Sequence, residues 1–304
     1  MADGRLPDQI HAVGYRRHVR KRRPQRAPWP IARTLLVLAW RRRATKFALL
    51  ACGGAVLIAG AALVAQLLFR RLLGASPIAP THVVGSAQEV FAGFLRGQFY
   101  LTAIAIAVIA GGCVAEDRAA GALELYFSRP LSRLDYALGK LLGAGLVPLS
   151  TLVVPTLLLW LVAVGVSPPD LGAELLWLAV PALSAATLGT VFLTATLVGV
   201  SAVGQKARTV SVAYVTGMIL LSAVGEGLCE AGQRWAGYLV PERDLRTVVD
   251  ALLHSGMPSL AAQLVPNRAA LPNADVALSL VALLVFSAGG LALLAMRLRR
   301  EVTG

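Results

Sequence analysis

The chain has 304 residues, of which 57% are hydrophobic and 15% charged, and its mean hydropathy is +0.68. Soluble domains are about 45–50% apolar, so this composition excludes a soluble protein and indicates an integral membrane protein. The net charge of +13 does not indicate nucleic-acid binding, because 13 of the 29 Lys and Arg residues precede residue 47, beside the first apolar run. That placement is typical of membrane topology and of contact with anionic lipid.

The region before the first apolar run has two parts. Residues 1–30 are Arg-rich and contain four prolines, which predicts a disordered, basic cytosolic tail ahead of one membrane domain over residues 31–304. From Ile31 to Lys46, apolar residues recur at helical spacing and basic residues form the other side. This pattern predicts a helix lying in the membrane interface. The alternative is a flank that only anchors the first span.

Six charge-free runs follow, each near or above the roughly 20 residues that cross the hydrocarbon core. They predict an all-α integral membrane protein with spans at about 47–69, 97–115, 141–167, 175–204, 209–225 and 276–296. Six spans place both termini on one side. With that side in the cytosol, 22 of the 29 Lys and Arg residues are cytosolic, so the positive-inside rule favours this orientation in the cell (inner) membrane.

The charged stretch between the second and third spans, residues 116–140, is expected to be the site at which a cytosolic partner binds and moves the membrane part. Asp117 is positioned to cap one short helix running from Arg118 to Phe127, on which Leu123 and Phe127 share an apolar side. Ser132 with Asp135 resembles a capping box that opens the next helix. An ordinary solvated loop is the alternative.

Prolines and hydroxyl residues mark the inside of the predicted bundle. Pro148 and Pro155 are expected to interrupt the third span and Pro181 the fourth. Along one side of the fourth span lie Ser184, Thr187, Thr190 and Thr194. Such a stripe favours hydrogen bonds between helices, with the lining of a transport pathway as the alternative. The G-x-x-x-G formed by Gly139 and Gly143 predicts that another helix approaches closely.

Residues 229–275 form the largest exterior segment, between the fifth and sixth spans. A helix is predicted from Pro241, with Leu245, Val248, Val249 and Leu252 on one side, and a second over Met257–Leu264. The segment either lies on the outer surface or returns into the bundle. Glu226 and Glu230, one turn apart, are interpreted as interfacial charges that end the fifth span.

The sequence has no motif typical of enzymes, of ATPases or of ion-driven transporters. Gln205 occupies the lysine position of the nearest phosphate-loop match, and the three cysteines and four histidines have no metal-ligand spacing. No predicted span has a charge near its middle, where ion-driven carriers place one. The sequence therefore indicates a protein that is not an enzyme, has no cofactor and receives its energy from outside the membrane.

One motif in the charged stretch resembles a known family. Glu116-Asp117, Gly121-Ala122-Leu123-Glu124, Ser128 to Arg133 and Gly139-Lys140-Leu141 follow one another as in the segment between the second and third spans of ABC-2 type permease subunits. The six-span order, the interfacial helix and the large exterior loop agree with this resemblance. Ala122 stands where the family usually has threonine.

The resemblance implies a permease that moves an unidentified substrate, mostly outwards, with a cytosolic ABC ATPase subunit and a second, identical or different, permease subunit. It implies that Gly121–Phe127 is a coupling helix and that residues 203–208 form a smaller contact. The coupling residues would be Glu116, Gly121, Leu123, Glu124, Phe127, Arg129 and Arg133. Alternatives are an ATP-independent transporter, a membrane scaffold, or an intramembrane enzyme.

The subunit interface is expected along the second span, where Gly111 and Gly112 permit close approach, and at the beginning of the fifth.

Overall fold

The computed structural model describes residues 28–73, 87–127, 132–167, 172–253 and 275–303, and none of these residues lies in a β-strand. The helices are α1 (Pro28–Trp40), α2 (Arg43–Leu73), α3 (Ala87–Ala110), α4 (Ala115–Ala119), α5 (Ala122–Phe127), α6 (Arg133–Pro148), α7 (Val154–Val166), α8 (Gly172–Val203), α9 (Ala207–Glu230), α10 (Pro241–Leu253) and α11 (Val276–Thr303). A π turn, Leu149–Val153, joins α6 to α7, and a 3₁₀ helix, Arg234–Leu239, precedes α10. The predicted all-α class is confirmed.

Six stretches of the described chain are long and apolar enough to cross a membrane, as predicted: Arg43–Phe69, Ala87–Ala119, Arg133–Val166, Leu175–Val203, Ala207–Glu230 and Val276–Arg300. The second begins at Ala87, directly after Ser86, whose capping-box spacing to Glu89 predicts a helix longer than the apolar run from Gly97. Its early polar residues are tolerated because this is the most enclosed span, with 78% of its apolar window buried inside the protein. The fifth continues to Glu230, so Glu226 and Glu230 belong to the end of α9.

Helix α3 is the centre of the bundle. It packs against α2, α6, α8, α9 and α10, and buries Phe91, Phe99 and Ile106. Helix α8 packs against α11, where a side chain at Gly199 would lie 2.4–2.7 Å from the backbone of Gly290. Only glycine permits this backbone approach, which is how small residues join helices in lipid.

Helix α1 packs on the first half of α6 through the predicted G-x-x-x-G. A Cβ atom at Gly139 would lie 2.8 Å from Cβ of Ile31, and one at Gly143 would lie 3.1 Å from Cα of Ala32. The other side of α1 exposes Trp29, Leu38 and Trp40, each by more than half. The helix begins at Pro28 and ends at Trp40, so the predicted bounds of 31–46 are wrong and Arg43 to Lys46 open α2.

Two of the three intramembrane prolines distort their helix. The π turn lies between Pro148 and Pro155, which confirms the predicted interruption of the third span. Helix α8 continues through Pro181, so the predicted interruption of the fourth span is wrong. A single proline removes one intrahelical hydrogen bond, and the packing of α8 against its neighbouring helices keeps the helix continuous.

Helix α10 returns into the bundle. It packs against α3, α8 and α11, and its predicted apolar side is buried at Leu245, Val248 and Val249. This decides between the two alternatives for the first part of the segment between the fifth and sixth spans. The predicted helix over Met257–Leu264 and the proposed tail before Pro28 lie outside the described residues.

Candidate functional site

The charged stretch begins at a break between α3 and α4, and Ser201 of α8 satisfies the backbone there. Its hydroxyl donates to the carbonyl of Gly111 (2.8 Å) and accepts from the N–H groups of Val114 (3.1 Å) and Ala115 (3.3 Å). A helix end leaves such groups without intrahelical partners, so a buried break needs a substitute. The sequence showed no sign of this bond, since Ser201 and Gly111 are 90 residues apart.

The glycines beside this break pack against the same chain. A Cβ atom at Gly112 would lie 2.6 Å from Cβ of Ala207, and the hydroxyl of Ser211 donates to the carbonyl of Ala107 (2.6 Å). Both partners belong to the start of α9. Because this approach is used within one chain and the second span is largely buried, the prediction that Gly111 and Gly112 form a subunit interface is wrong.

Gly121 divides the stretch into two short helices. Its φ of +64° is in the left-handed region that glycine adopts without strain, and it stands between α4 and α5. The predicted single helix from Arg118 to Phe127 is therefore wrong. Asp117 is not a cap, since it lies in the first turn of α4 and its carboxylate binds side chains of α6.

Three consecutive residues of α4, Glu116, Asp117 and Arg118, each bind a different part of the membrane domain, and we call them the anchor triad. Glu116 accepts two hydrogen bonds, of 2.9 and 3.1 Å, from Nη2 of Arg42. Arg42 lies in the turn between α1 and α2. Both side chains are nearly half exposed, at 49% and 44%, so this pair adds only about 0.2–1 kcal/mol to stability.

Asp117 binds α6 in a more enclosed setting. Its Oδ2 accepts from the hydroxyl of Tyr136 (2.8 Å) and lies 2.7 Å from Nζ of Lys140. Tyr136 is fully buried and its ring packs on that of Tyr126 in α5, with centroids 5.6 Å apart. Charge-assisted hydrogen bonds of this length are strong, and a buried pair loses much stability when one member is removed. Asp117 therefore fixes α4 to the beginning of the third span.

Arg118 binds the end of α8. Its Nη1 donates to the carbonyl groups of Ala202 (2.8 Å) and Gly204 (3.0 Å), and lies 3.4 Å from that of Val203. The C-terminus of a helix presents carbonyls without donors and a partial negative charge, so a guanidinium is favourable there. This bond joins the two segments, around residues 121–127 and 203–208, that the family resemblance implies as partner contacts.

The remaining predicted coupling residues lie in varied settings. Gly121 is exposed at its turn, whereas Leu123 is only 4% exposed and packs into the core of its own chain. Arg133 is exposed at the start of α6, where the predicted capping box of Ser132 and Asp135 is confirmed. The side chains of Glu124 and Phe127, and all of Arg129, lie outside the described residues.

An apolar pair that the sequence reading missed follows Arg133. Leu134 is 74% exposed and Leu138 is 50% exposed, one turn apart on α6. Their i,i+4 spacing directly after the capping box was the available signal.

The hydroxyl stripe of α8 is satisfied within its own helix. Ser184, Thr187, Thr190 and Thr194 each donate to a carbonyl three or four residues earlier, at 2.7–2.9 Å. The prediction that these hydroxyls bond between helices is wrong, because the nearest carbonyl in an apolar medium is the one in the preceding turn. Thr196 makes the cross-helix bond instead, with the hydroxyl of Tyr214 (3.0 Å). The pathway role of the stripe stays a prediction.

A second polar cluster lies at the π turn in the middle of the third span. In an α-helix the carbonyl of Thr151 accepts from the N–H of residue 155, which is proline and has none. Nε2 of Gln98 donates to this carbonyl (2.9 Å) and to that of Cys52 (3.3 Å). Gln98 is 1% exposed, so α3 supplies from inside the bundle the donor that α7 lacks.

These features define an integral membrane protein of six spans in which the charged segment between the second and third spans is bonded to other spans of the bundle. The family model described as ABC-2 family transporter protein matches residues 86–297. The match covers more than half of the chain, which therefore belongs to the ABC-2 transporter family, whose members are transport subunits of the membrane and not catalysts themselves. The comparison with curated proteins found no match.

Proposed function

We propose that this chain is the permease subunit of an ABC transporter and that a separate ATPase subunit binds at α4 and α5. The anchor triad is the observation that carries the proposal. Glu116 leads to the α1–α2 turn, Asp117 to α6 and Arg118 to the end of α8. A displacement of this short segment is thereby passed to three spans at once. Family permeases work with an ATPase subunit, which gives the segment a partner able to move it.

In the proposed mechanism, the π turn is the joint at which the two halves of the third span, α6 and α7, move relative to each other. Asp117 holds the first half of the third span through Tyr136 and Lys140, whereas the second half begins after the π turn. Mid-helix π turns often mark functional sites and sharp bends. A push on α4 tilts α6, and Gln98 holds the other side of the joint by its bond to Thr151.

The ATPase contact uses the exposed side of the segment. Glu116 and residues 119–121 are exposed, and Leu134 provides a large apolar side chain nearby in the chain. A few well-packed side chains usually carry most of the energy of an interface. Leu123 supports the segment from the core and Leu134 contacts the partner.

The orientation follows from charge. The side of the bundle that carries α4, α5 and both termini is the cytosol, because it holds most of the Lys and Arg residues. Ala120→Cys, placed at the exposed turn in a background lacking Cys52, Cys113 and Cys229, is labelled only by reagents that reach the cytosol. Labelling from the outside of intact cells would refute the orientation.

The second permease subunit pairs through α9. The beginning of this helix was one of the two parts of the predicted interface, and the other part, at Gly111 and Gly112, is buried within the chain. Only 11% of the apolar window of α9 is buried within the chain, so this span has surface to share. Single cysteines along α9 are expected to cross-link to another permease in membranes. A protein that transports as a lone chain would exclude this arrangement.

Purification of the tagged chain from its own membranes tests the proposed function. An ATP-hydrolysing subunit is expected to co-purify, with an ATPase rate that differs from that of the isolated subunit. Arg118→Gln should preserve the association and abolish the change in rate, because the bond to α8 is lost and the surface is intact. Arg41→Gln is the control, since Arg41 is exposed and outside the anchor triad. Transport without any ATPase would instead favour the ATP-independent alternative.

A further inference from the structure

A cavity of about 250 Å³ opens between α3 and α10, on the side of the bundle opposite α4 and α5. This volume equals that of about eight water molecules in the liquid. Gly93, Gly97 and Tyr100 of α3 line it, and Leu245 of α10 adds an apolar wall. The cavity is separate from the anchor triad and from the π turn, and the proposed mechanism does not use it.

The polar lining of this cavity carries both signs of charge. Arg96 supplies a guanidinium from α3, while Glu242 and Arg246 come from successive turns of α10. Arg96 also pairs with Asp250, which holds the guanidinium in place. The guanidinium groups of the two lining arginines, Arg96 and Arg246, favour a ligand that brings an oxygen acceptor.

The cavity continues into a strip of α3 that faces out of the bundle. Gly93, Gly97, Tyr100 and Ile104 recur every three or four residues and are the exposed positions of α3 from Phe91 onwards, while most other residues of this stretch are buried. From Gly93 to Ile104 the helix rises about 16 Å, which is about half of the ~30 Å hydrocarbon thickness. The strip therefore matches one leaflet in length. A Cβ atom at Gly93 or Gly97 would meet no atom within 4 Å, so the strip is a shallow groove.

We infer that this cavity and groove bind one zwitterionic phospholipid, with the headgroup among Arg96, Arg246 and Glu242 and an acyl chain along Gly97, Tyr100 and Ile104. The guanidinium groups suit the phosphate, because arginine forms paired hydrogen bonds with phosphate oxygens. The carboxylate of Glu242 suits the amine. A headgroup carrying both charges complements a lining that carries both, and the apolar groove complements the chain.

This inference names the ligand class of the proposed permease and rests on that proposal for its meaning in transport. Binding itself needs no ATPase, so a failure of lipid binding and a failure of ATPase coupling are separate results. The test uses the purified full chain in detergent, titrated with phosphatidylethanolamine or with phosphatidylglycerol of identical acyl chains. Native mass spectrometry then counts the retained lipid at each concentration.

The wild-type chain is expected to retain one phosphatidylethanolamine in preference to phosphatidylglycerol. Glu242→Gln should remove that preference, and Arg246→Gln should weaken both lipids by roughly tenfold, the loss typical of one charge-assisted hydrogen bond. The matched controls are Glu226→Gln at the end of α9 and the exposed Arg234→Gln, both on the same side of the bundle. Neither control should change the retention of either lipid.

Gly97→Leu should abolish retention by filling the groove, while Gly54→Leu on α2 should not, although both sites have open space around the new side chain. Equal retention of the two lipids by the wild type and every variant would mean ordinary annular lipid and would overturn the inference. Efficient cross-linking of Gly97→Cys between two chains in membranes would also overturn it, because a second copy would then occupy the groove.

Discussion

Replacing Gln98 with leucine is expected to destabilise the protein by about 1–2 kcal/mol. The substitution removes the donor of the 2.9 Å bond to the carbonyl of Thr151, and Pro155 offers no N–H to replace it. A buried carbonyl left without a donor costs about 1–3 kcal/mol. The loss is reduced because Oε1 of Gln98 is itself buried without a partner and disappears with the same substitution.

A double-mutant cycle with Pro155→Ala isolates this interaction. Alanine at position 155 restores a backbone N–H one helical turn after Thr151, so the carbonyl regains a donor within its own helix. In that background Gln98→Leu should cost about 0.5 kcal/mol or less, giving a coupling free energy of roughly 1 kcal/mol. Thermal unfolding in detergent measures it, with an expected Tm decrease of about 2–4 °C for Gln98→Leu alone.

Gln66→Leu is the control for the cycle, because Gln66 lies on α2 and its Oε1 is likewise buried without a partner. Its effect should be the same with proline or alanine at position 155. If the effects of Gln98→Leu and Pro155→Ala are additive, Gln98 does not serve as the substitute donor and the joint at the π turn has another origin.

Burial raises the pKa of Asp244 to about 6, although Ser279 and Arg243 act in the opposite direction, so the folded state keeps its proton to higher pH than the unfolded state. The free energy of unfolding should therefore fall as pH rises from about 4 to 6, by up to about 3 kcal/mol. The Asp244→Asn variant should lack this fall, and an equal pH dependence of unfolding in the wild type and the variant would contradict the prediction. Gly139→Leu should separate α1 from α6 and lower the Tm, whereas Gly53→Leu, which meets no atom within 4 Å, should not. Ser201→Ala should increase protease cleavage near residue 120, because the break before α4 loses three bonds, and unchanged cleavage would show that the break needs no such support.

Predictions that depended on local rules were the ones that succeeded. The six spans follow from apolar length, and the capping box of Ser132 and Asp135 needs only residues three apart. The prediction for Asp117 used the same kind of rule and failed. Its carboxylate binds Tyr136, which lies 19 residues away, and this tertiary bond replaces the local cap.

The parts of the site that were not predicted depend on distant pairs. Arg42 and Glu116 are hydrogen-bonded although they lie 74 residues apart in the sequence, and Arg118 and Ala202 lie 84 residues apart. The local sequence around one partner therefore gave no indication of the other partner. Arg96 precedes the apolar part of the second span, because hydropathy treats an arginine as the end of an apolar run. Its pairing with Asp250 allows the charge to lie within the helix.

The order of residues in α4, and not only their composition, determines which spans this helix is bonded to. Successive residues of an α-helix point about 100° apart, so Glu116, Asp117 and Arg118 reach three different directions from one turn. Exchanging Asp117 and Arg118 would preserve net charge, length and nearly all helix propensity. It would nevertheless set a guanidinium against Lys140 and a carboxylate against the carbonyls that end α8. Two chains with identical amino-acid composition would thus differ in whether α4 is bonded to α6 and α8. A homologue with the same three residues in another order would need different contacts between its spans.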